Sequence, residues 1–409
     1  MTTRTTCRAC KGSRLDTLLD FGQVPLAEVL LEEQDLPQED AKYPLELALC
    51  LDCGLVQVTE DIPLEILYND SYSYYTSVNP TLVKHFQDGA AAIMERKPLG
   101  KGSLVIEAAS NDGAQLAAFQ ECGTDVLGID PASGPVEAAN KLGITSRCLF
   151  FDAATADSLK AEGLQADVIT GNNVLCLIQD PTNFAEAVDT LLAPDGMLVI
   201  ESAYLADMIS MTAFDMVFHQ NATYWTATSL QTLFASSGLR LIDVEHIPIL
   251  GGSLRMYLSR EGSPSQAASE LLAQEKADGV GTPAYFAPFI ERVHKLRADL
   301  LTRLADLRAD GKRIVAYGAS GGMATTLLAF LDLPADTLEY AVDLSHHKHG
   351  RWTAGYRLLI RPVETLAEDK PDHALLLAWN FEAPILAAQT EWRQGGGKFL
   401  IPIPELREV

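Results

Sequence analysis

Two acidic residues close consecutive apolar runs in the first half of the chain, and their positions suit the binding of a nucleoside. Glu107 lies in the run 104–113, Leu-Val-Ile-Glu-Ala-Ala-Ser-Asn-Asp-Gly, and Asp130 ends the run 124–130. A carboxylate at the end of the second strand of a Rossmann-like sheet accepts hydrogen bonds from ribose hydroxyls. The turn after the first run is not Gly-x-Gly-x-x-Gly, so the sequence favours S-adenosylmethionine (SAM) over a dinucleotide.

Further polar residues follow the predicted strands at the same edge of the sheet. Gly113, in the first turn, tolerates backbone conformations that other residues avoid and allows a ligand to approach closely. Ligands of such sheets bind at the carboxyl ends of the strands, where we expect these residues to converge. Asp130 would bind the ribose, and Phe151 with Asp152 would flank the adenine. The predicted SAM site comprises Glu107, Asn111, Asp112, Gly113, Asp130, Phe151, Asp152 and Asn173.

Four of the seven cysteines form two Cys-x-x-Cys pairs, Cys7 with Cys10 and Cys50 with Cys53. This spacing places two thiolates on one turn, and two such turns complete a tetrahedral zinc site. Disulfide bonds and redox chemistry are the alternatives. Disulfides are disfavoured in a chain with no export signal, and a redox Cys-x-x-Cys normally occurs once, at a helix start. We predict a structural Zn²⁺ that stabilises a small domain and does no chemistry.

The order of the predicted elements indicates an α/β protein with three domains. Strands and helices alternate with short loops over residues 104–202, which predicts a doubly wound parallel sheet because parallel strands need crossover helices. Residues 259–283 are rich in Glu, Ser, Ala and Gly and are interpreted as a linker. A helix at 287–309 then precedes a second Rossmann-like pattern from residue 312, which could bind its own nucleotide or only wall a cleft. The predicted domains are residues 1–65, 66–262 and 263–409.

Composition and charge restrict the partners. The formal net charge is −24, which opposes binding to nucleic-acid polymers but is compatible with a small substrate in a local basic pocket. No apolar run approaches the length of a membrane span, and residues 1–20 lack the hydrophobic core of a signal peptide. We therefore expect a cytoplasmic protein with a small-molecule substrate and no membrane partner.

A tyrosine-rich segment separates the first two predicted domains. Residues 68–77 hold four tyrosines in ten positions, among Asp, Asn, Ser and Thr. The segment is too polar for a core and too aromatic for an ordinary linker. A lid or pocket wall is one interpretation and packing between domains is the other, and the sequence leaves both open.

The order of these features resembles the SAM-dependent sugar C-methyltransferases, which act on nucleotide-linked keto-deoxysugars. The resemblance implies an amino-terminal zinc-binding domain, a central methyltransferase domain that binds SAM, and a carboxyl-terminal Rossmann-like domain. It covers essentially the whole chain. Besides the two Cys-x-x-Cys pairs, it rests on the segments Asp70–Ser77, Glu107–Gly113, Asn173–Leu175, Gly251–Arg255, Lys348–Gly350, Trp379–Phe381 and Gly396–Phe399.

The same resemblance exposes a loss of acid–base residues. The family methylates a carbon next to a ketone, so a base removes a proton and the resulting enolate attacks the SAM methyl group. The Tyr-His-Glu-His run of the family is Phe218-His219-Gln220-Asn221 here, and two further histidines are replaced by Leu177 and Leu250. The family's Lys or Arg after Tyr-Gly-Ala is missing at 320–322. Phe, Gln and Asn keep the shape of the side chains that they replace but cannot transfer protons.

The resemblance implies the remaining site residues by position. The candidate catalytic residues are His219, Tyr74 and Tyr224. The implied substrate-binding residues are Tyr72, Phe218, Gln220, Asn221, Leu177, Arg255, Lys348, Trp379 and Asn380.

Three functions are compatible with this combination of features. The first is a SAM-dependent methyltransferase for a small natural-product or nucleotide-sugar intermediate whose acceptor atom is already activated. The second is an enzyme of the same fold that binds SAM but catalyses a cyclisation, isomerisation or elimination. The third is a binding protein without turnover. Function inferred from fold alone is weak, so the site geometry has to decide among them.

Overall fold

A computed structural model of the protein describes residues 2–67, 75–249 and 251–409. Tyr72, Tyr74 and Leu250, which the sequence analysis places in the site, lie outside the described residues.

The amino-terminal module is a small β structure. Strands β2, β4 and β5 form an antiparallel sheet, and β1 pairs with β6 in a separate two-stranded ribbon. The last four residues of β4 and all three of β5 are buried, so the two Cys-x-x-Cys turns flank a covered sheet. The elements of the module are β1 (Thr2–Thr3), β2 (Leu15–Pro25), β3 (Leu30–Leu31), β4 (Lys42–Cys50), β5 (Val56–Val58), β6 (Glu60–Asp61) and α1 (Leu64–Leu67).

The central domain contains a seven-stranded sheet in the order β13-β14-β11-β10-β7-β8-β9. The five strands from β11 to β9 in this order are parallel, β14 runs antiparallel to β11, and the edge strand β13 pairs antiparallel with β14 and so runs in the direction of the five. The elements are α2 (Pro80–Arg96), β7 (Leu104–Ala108), α3 (Ala114–Glu121), β8 (Asp125–Asp130), α4 (Ser133–Lys141), β9 (Ser146–Cys148), α5 (Ala153–Ala161), β10 (Ala166–Asn172), α6 (Pro181–Leu191), β11 (Leu192–Ala203), α7 (Leu205–Ser210), β12 (Thr223–Tyr224), α8 (Ala227–Phe234), β13 (Arg240–Ile247) and β14 (Ser253–Ser259).

The carboxyl-terminal domain repeats the α/β plan with a six-stranded sheet in the order β18-β16-β15-β19-β20-β21. All neighbours are parallel except β21, which closes the sheet antiparallel to β20. The elements are α9 (Gln266–Asp278), α10 (Pro283–Ala309), β15 (Ile314–Tyr317), α11 (Gly322–Leu331), β16 (Ala341–Asp343), β17 (Trp352–Thr353), β18 (Ile360–Pro362), α12 (Thr365–Asp369), β19 (His373–Leu376), α13 (Glu382–Ala388), α14 (Thr390–Gln394), β20 (Lys398–Ile401) and β21 (Arg407–Glu408).

The amino-terminal module shares its core with the other two domains. Strand β12, from the central domain, adds to the sheet of the module beside β5, and β3 pairs with β17 of the carboxyl-terminal domain. Phe21 of β2 packs edge-on against Phe330 of α11 and stacks on Phe214 of the central domain. The three parts therefore meet at one junction, in which residues from all of them are buried in the same apolar cluster.

The interpretation of residues 259–283 as a linker is wrong, because α9 occupies most of this stretch. Ser265 caps the helix through its hydroxyl, which accepts from the amide of Ala268. Ala, Glu and Gln are strong helix formers, so the same composition serves a helix as well as a linker. The helix packs against β13 and α8 of the central domain.

Glu275 fixes α9 to the first turn of α8, and its replacement is expected to destabilise the protein. Its buried carboxylate accepts from the amides of Ala227 and Thr228, the Thr228 hydroxyl and the Tyr204 hydroxyl. We expect Glu275→Gln to lower the free energy of unfolding by about 2–3 kcal/mol, because an amide NH2 would then face buried donors. Chemical denaturation measures this. Glu270 is exposed on the same helix, and the control Glu270→Gln should change the free energy of unfolding by less than about 0.5 kcal/mol. Equal denaturation midpoints for the two variants would contradict the prediction.

The long helix α10 packs as its sequence pattern predicts. Its 27 residues bury one stripe, which includes Val293, Leu296, Leu300, Leu304 and Leu307, and expose a charged face. Within the described parts of the chain, no helix is long and apolar enough to cross a membrane.

Candidate functional site

The two Cys-x-x-Cys turns bring their four sulfur atoms together. The Sγ atoms of Cys7 and Cys53 are 3.6 Å apart, those of Cys10 and Cys50 are 3.5 Å apart, and all four lie within 4.8 Å of one another. Tetrahedral zinc with Zn–S bonds of about 2.3 Å requires sulfur–sulfur distances of about 3.8 Å. Gly12 donates its amide to Cys10 Sγ, a contact that stabilises a thiolate ligand. The four residues therefore fit a closed structural zinc site.

The zinc turns dock on the central domain beside its ligand edge. Arg8, fully buried between the two cysteines of the first turn, donates to the carbonyl of Gln179, and the Thr182 hydroxyl donates to the carbonyl of Ala9. Lys11 pairs with Asp180 at 2.9 Å. The first Cys-x-x-Cys turn thus supports the end of the loop that follows β10.

Glu107 lies at the carboxyl end of the central sheet in a fully buried position. Its Oε1 accepts from the side-chain Nδ2 of Asn172 at 3.0 Å, and its Oε2 has no hydrogen-bond partner among the described residues. Burial raises the pKa of Glu107 to about 8; the Asn172 bond opposes this, and the nearby Asp130 and Asp112 add to it. A buried carboxyl with a vacant oxygen is suited to a cationic ligand.

The turn after β7 binds the chain segment that enters α2. Asn111 Oδ1 accepts from the amide of Thr76 at 2.9 Å, and Asp112 Oδ2 accepts from the amide of Ser77 at 3.0 Å. Gly113 has a φ of +81°, and a Cβ on it would lie 2.9 Å from the side chain of Ile144. Glycine is therefore required here by both backbone conformation and space.

The other predicted cofactor residues lie along the same edge. Asp130 accepts from the amides of Asn111 and Ala132, one with each oxygen, and burial raises its pKa. Asp152 caps α5 by accepting from Thr155, and Phe151 packs at a tilt on Phe184 with ring centroids 5.1 Å apart.

Asn173 begins the loop that leads from the cofactor edge toward the domain junction. It has a left-handed backbone with φ of +52° and donates its backbone N–H to the Glu201 carbonyl at 2.7 Å. Leu177, half-buried, lies in the same loop, and the carbonyl of Cys176 accepts from the amide of Thr223. The loop therefore connects the cofactor edge with the segment around residues 216–224.

Several buried polar atoms at this edge have no partner within the described part of the chain, among them Glu107 Oε2, Ser110 Oγ, Asp112 Oδ1 and Gln115 Nε2. Buried polar groups are normally hydrogen-bonded, so a cluster without partners indicates a ligand with several donors and acceptors. SAM, with an ammonium, a carboxylate and a ribose, fits this set. Ser110 was not predicted from the sequence, although it lies inside the motif.

The polar groups of residues 218–221 bind backbone carbonyls of the junction. His219 Nε2 lies 2.9 Å from the carbonyl of Pro44, Gln220 Nε2 donates to Ala27 at 3.2 Å, and Asn221 Nδ2 donates to Met216 at 3.4 Å. Phe218 packs against α11, where a Cβ on Gly322 would lie 2.5 Å from its ring. The segment is held from all three domains.

The two described candidate bases are both buried. Burial lowers the pKa of His219, and the carbonyl at its Nε2 fixes the tautomer with the proton on that nitrogen. The Tyr224 hydroxyl donates to the carbonyl of Met216, and burial raises its pKa well above the ordinary value. A catalytic role for either residue stays a prediction.

The predicted substrate residues of the carboxyl-terminal domain follow its central strands. Lys348 Nζ donates to the carbonyl of Ala319 at 2.9 Å and lies 3.4 Å from Asp343. Trp379 is buried and donates its indole N–H to Asp215 at 2.7 Å, and Asn380 Oδ1 is buried without a partner among the described residues.

Arg255 lies in a buried network of charged side chains, and its partners were not predicted from the sequence. It binds Glu201 through Nε and Nη2 and Glu245 through Nη1, and His85 of α2 lies 2.6 Å from the second oxygen of Glu201. The sequence held a signal for this: Glu201 follows the apolar residues Leu198, Val199 and Ile200, as Glu107 follows its own run.

Comparison with known proteins gives one full-length relative. C-methyltransferase NovU from Streptomyces niveus is 31% identical over 406 residues, which cover 98% of this chain and 96% of the relative. The chain belongs to the C-methyltransferase family. Three family models also match in sequence order: a zinc binding domain at residues 7–68, a methyltransferase domain at 84–244 and a C-methyltransferase C-terminal domain at 248–404.

Family membership confirms several of the sequence predictions. This C-methyltransferase family member is a SAM-dependent enzyme, with a zinc-binding amino-terminal module, a Rossmann-like SAM-binding domain and a second α/β domain. The four clustered cysteines are placed so that they could hold the metal ion, and their role as its ligands stays a prediction. The individual SAM- and substrate-binding residues stay predictions.

Two solved structures illustrate more distant similarity. The 1,6-didemethyltoxoflavin-N1-methyltransferase of Burkholderia thailandensis is 18% identical, with 50% of this chain and 94% of that chain covered and a TM-score of 0.35. Magnesium protoporphyrin IX methyltransferase of Synechocystis is 14% identical, with 48% and 92% covered and a TM-score of 0.36.

Proposed function

We propose that this methyltransferase acts on a small natural-product or nucleotide-linked sugar intermediate whose acceptor atom is already nucleophilic. The observation that carries the proposal is the set of contacts made by the side chains of residues 218–221. The side-chain nitrogens of His219, Gln220 and Asn221 all contact backbone carbonyls, and Phe218 has no ionisable group. A pocket built in this way is poorly suited to removing a proton from an unactivated carbon, which requires a base with a pKa near the working pH.

The SAM-binding edge supports methyl transfer rather than simple substrate binding. Bound SAM supplies an electrophilic methyl group on a sulfonium centre. Glu107, Asp130 and Asn173 would hold its charged and ribose groups, and the loop 173–178 leads from there to the junction. A carbon acceptor is favoured because the full-length relative is named a C-methyltransferase. A β-dicarbonyl carbon, which ionises readily, would need no strong base.

Two buried amide oxygens are suited to orienting the acceptor. Gln220 Oε1 and Asn380 Oδ1 have no partner among the described residues. Each can accept a hydrogen bond from a substrate hydroxyl or N–H without taking its proton away. Leu177 and Phe218 would exclude water beside them, and Lys348 at the edge of the carboxyl-terminal sheet would attract a phosphate of a nucleotide-linked substrate.

The test is a substrate panel with two arms. The purified protein is incubated with SAM and either nucleotide-linked 4-keto-deoxysugars or β-dicarbonyl acceptors, and S-adenosylhomocysteine and methylated product are quantified by mass spectrometry. We expect product in equal amounts with S-adenosylhomocysteine, and only from acceptors that ionise readily. Faster methylation of simple ketones than of β-dicarbonyls would refute the activated-acceptor proposal. Formation of an unmethylated product at the same rate with S-adenosylhomocysteine in place of SAM would replace methyl transfer with a cyclisation, isomerisation or elimination.

The triple variant Phe218→Tyr/Gln220→Glu/Asn221→His sharpens the same test by restoring the ionisable groups of the family. If the acceptor is already activated, the variant gains turnover on simple ketones while turnover on β-dicarbonyls does not rise. A parallel rise on both classes would mean that the native enzyme lacks a base that its substrate needs, which contradicts the proposal.

A further inference from the structure

Asp215 is a fully buried carboxyl group at the junction of the central and carboxyl-terminal domains. It lies in the 3-10 helix Phe214–Met216, immediately before the segment 217–221. Its Oδ2 accepts the indole N–H of Trp379 at 2.7 Å, and its Oδ1 has no partner among the described residues. Burying a carboxyl group costs free energy, and the Trp379 indole is the side-chain donor that offsets part of this cost for Asp215.

Trp379 starts the turn at the carboxyl end of β19, where the domain would face a ligand. The turn Trp379–Phe381 carries Asn380, whose buried side-chain oxygen has no partner in the described part of the chain. On the other side of the junction, Thr326 of α11 donates to the carbonyl of Val217 at 2.6 Å. The Asp215–Trp379 bond ties this turn to the segment holding Phe218 and Gln220.

We propose that Asp215 is a positioning residue for methyl transfer, which places the Trp379–Phe381 turn against residues 217–221 through the Trp379 indole. The bond spans two domains and ends on the residue adjoining Asn380, so its loss would shift one wall of the pocket relative to the other. Catalysis is sensitive to such shifts because the reacting atoms must be held close to their reactive geometry. The role in turnover depends on the proposed substrate pocket, whereas the bond itself can be tested without a substrate.

The environment allows Asp215 to change its charge near neutral pH. Burial raises the pKa of Asp215 to about 7. The hydrogen bonds from the Trp379 indole and from backbone amides lower the pKa and so oppose part of this shift. Helix α11, which packs on the 3-10 helix, carries no ionisable side chain. The charged or titratable groups on the other surrounding elements are Asp207 of α7, its partner His246, Arg292 of α10, His219, Tyr224 and, beyond the turn, Glu382.

The test uses protein labelled with 5-fluorotryptophan, which gives one fluorine signal for each of the four tryptophans. Trp379→Phe identifies the Trp379 signal. We expect that signal to shift with pH, with a midpoint near 7, and to stop shifting in Asp215→Asn, because an amide cannot ionise. The variant His246→Gln should leave the midpoint unchanged, which separates Asp215 from the nearby imidazole. A Trp379 signal with the same chemical shift in the native protein and in Asp215→Asn, or one that titrates equally in both, overturns the proposal.

A matched pair of tryptophan variants tests the positioning role. Trp379 and Trp392 are both buried and both donate their indole N–H, but Trp392 donates within the carboxyl-terminal domain to Pro371. We expect Trp379→Phe and Asp215→Asn to lower kcat/KM by about tenfold. SAM affinity should remain, and the inflection near pH 7 in the kcat/KM profile should disappear in both. Trp392→Phe should keep the pH dependence of kcat/KM seen in the native protein. If Trp379→Phe and Trp392→Phe behave alike, the bond is merely structural. A substrate panel that yields no turnover would instead overturn the proposed function and leave the fluorine result standing.

Discussion

Cys50→Ser is expected to abolish zinc binding and to lower the free energy of unfolding by about 3–5 kcal/mol. Structural zinc contributes of order 10 kcal/mol to the folding of isolated zinc peptides. The loss here should be smaller because β12 and β17 also hold the module through strand pairing. Zinc content by atomic emission and chemical denaturation monitored by circular dichroism measure the two effects. Cys50 is fully buried, and a serine hydroxyl there is a much poorer zinc ligand than a thiolate.

The damage should extend to the SAM site. Arg8 and Ala9 of the first zinc turn contact Gln179 and Thr182, at the end of the loop that begins with Asn173. Loss of the metal should therefore weaken SAM binding as well as stability, as isothermal titration calorimetry would show. The control is Cys122→Ser, because Cys122 is exposed and does not belong to the cluster. Retention of one zinc per chain in Cys50→Ser, or equal stability of the two variants, would contradict the prediction.

The approach of the four cysteines and the positions of the two acids at one sheet edge could be predicted because their signals are local in the sequence. Cys7 with Cys10 and Cys50 with Cys53 are each placed on one turn by spacing alone, and only the approach of the two turns depends on the fold. Glu107 and Asp130 end buried strands, and the carboxyl ends of parallel strands meet at one edge. Local pattern and general topology suffice for such residues.

The hydrogen-bond partners of residues 218–221 could not be predicted in the same way. His219 lies 175 residues from Pro44 and Gln220 lies 193 residues from Ala27, and no spacing rule links such partners. Their side chains are used for packing between domains, which depends on how three separately folded parts come together. Asp215 was overlooked for the same reason, because its partner Trp379 lies 164 residues away.

The error at α9 has a different origin. Composition cannot separate a helix from a linker when Ala, Glu and Gln dominate, because these residues favour both exposed helices and polar connections. The burial of Ala268 and Glu275 against the central domain stabilises this stretch as a helix. The relevant carboxylate partners lie 47–71 residues away, at Tyr204, Ala227 and Thr228.

The affinity for SAM should rise with pH between about 6 and 8 because Glu107 must lose a proton to receive a cationic ligand. With a pKa of about 8, the carboxyl is mostly protonated at pH 7. The ammonium and sulfonium charges of SAM favour the ionised form, so binding should release nearly one proton at pH 7 and tighten by up to about tenfold per pH unit. Calorimetry in buffers of different ionisation enthalpy measures the released proton directly.

Glu107→Gln separates this effect from other titrations, including that of Asp130, whose pKa is also raised by burial. The variant should bind SAM with little pH dependence over this range, and its loss of affinity relative to the native protein should grow from small at pH 6 to about tenfold to a hundredfold at pH 8. Glu121→Gln, exposed at the end of α3, should keep the native profile. Native proton release that persists in Glu107→Gln would assign the proton to another group.

The same carboxyl has the opposite effect on the stability of the protein without SAM. The folded chain keeps a proton on Glu107 up to about pH 8, whereas a carboxyl in the unfolded chain loses it near pH 4.5. Folding therefore takes up a proton between these values, and stability contributed by the neutral carboxyl falls as pH rises through this window. Glu107→Gln should flatten that part of the stability profile. SAM should oppose the decline in the native protein because it binds the ionised form, so stabilisation by a fixed SAM concentration should be larger at pH 8 than at pH 6.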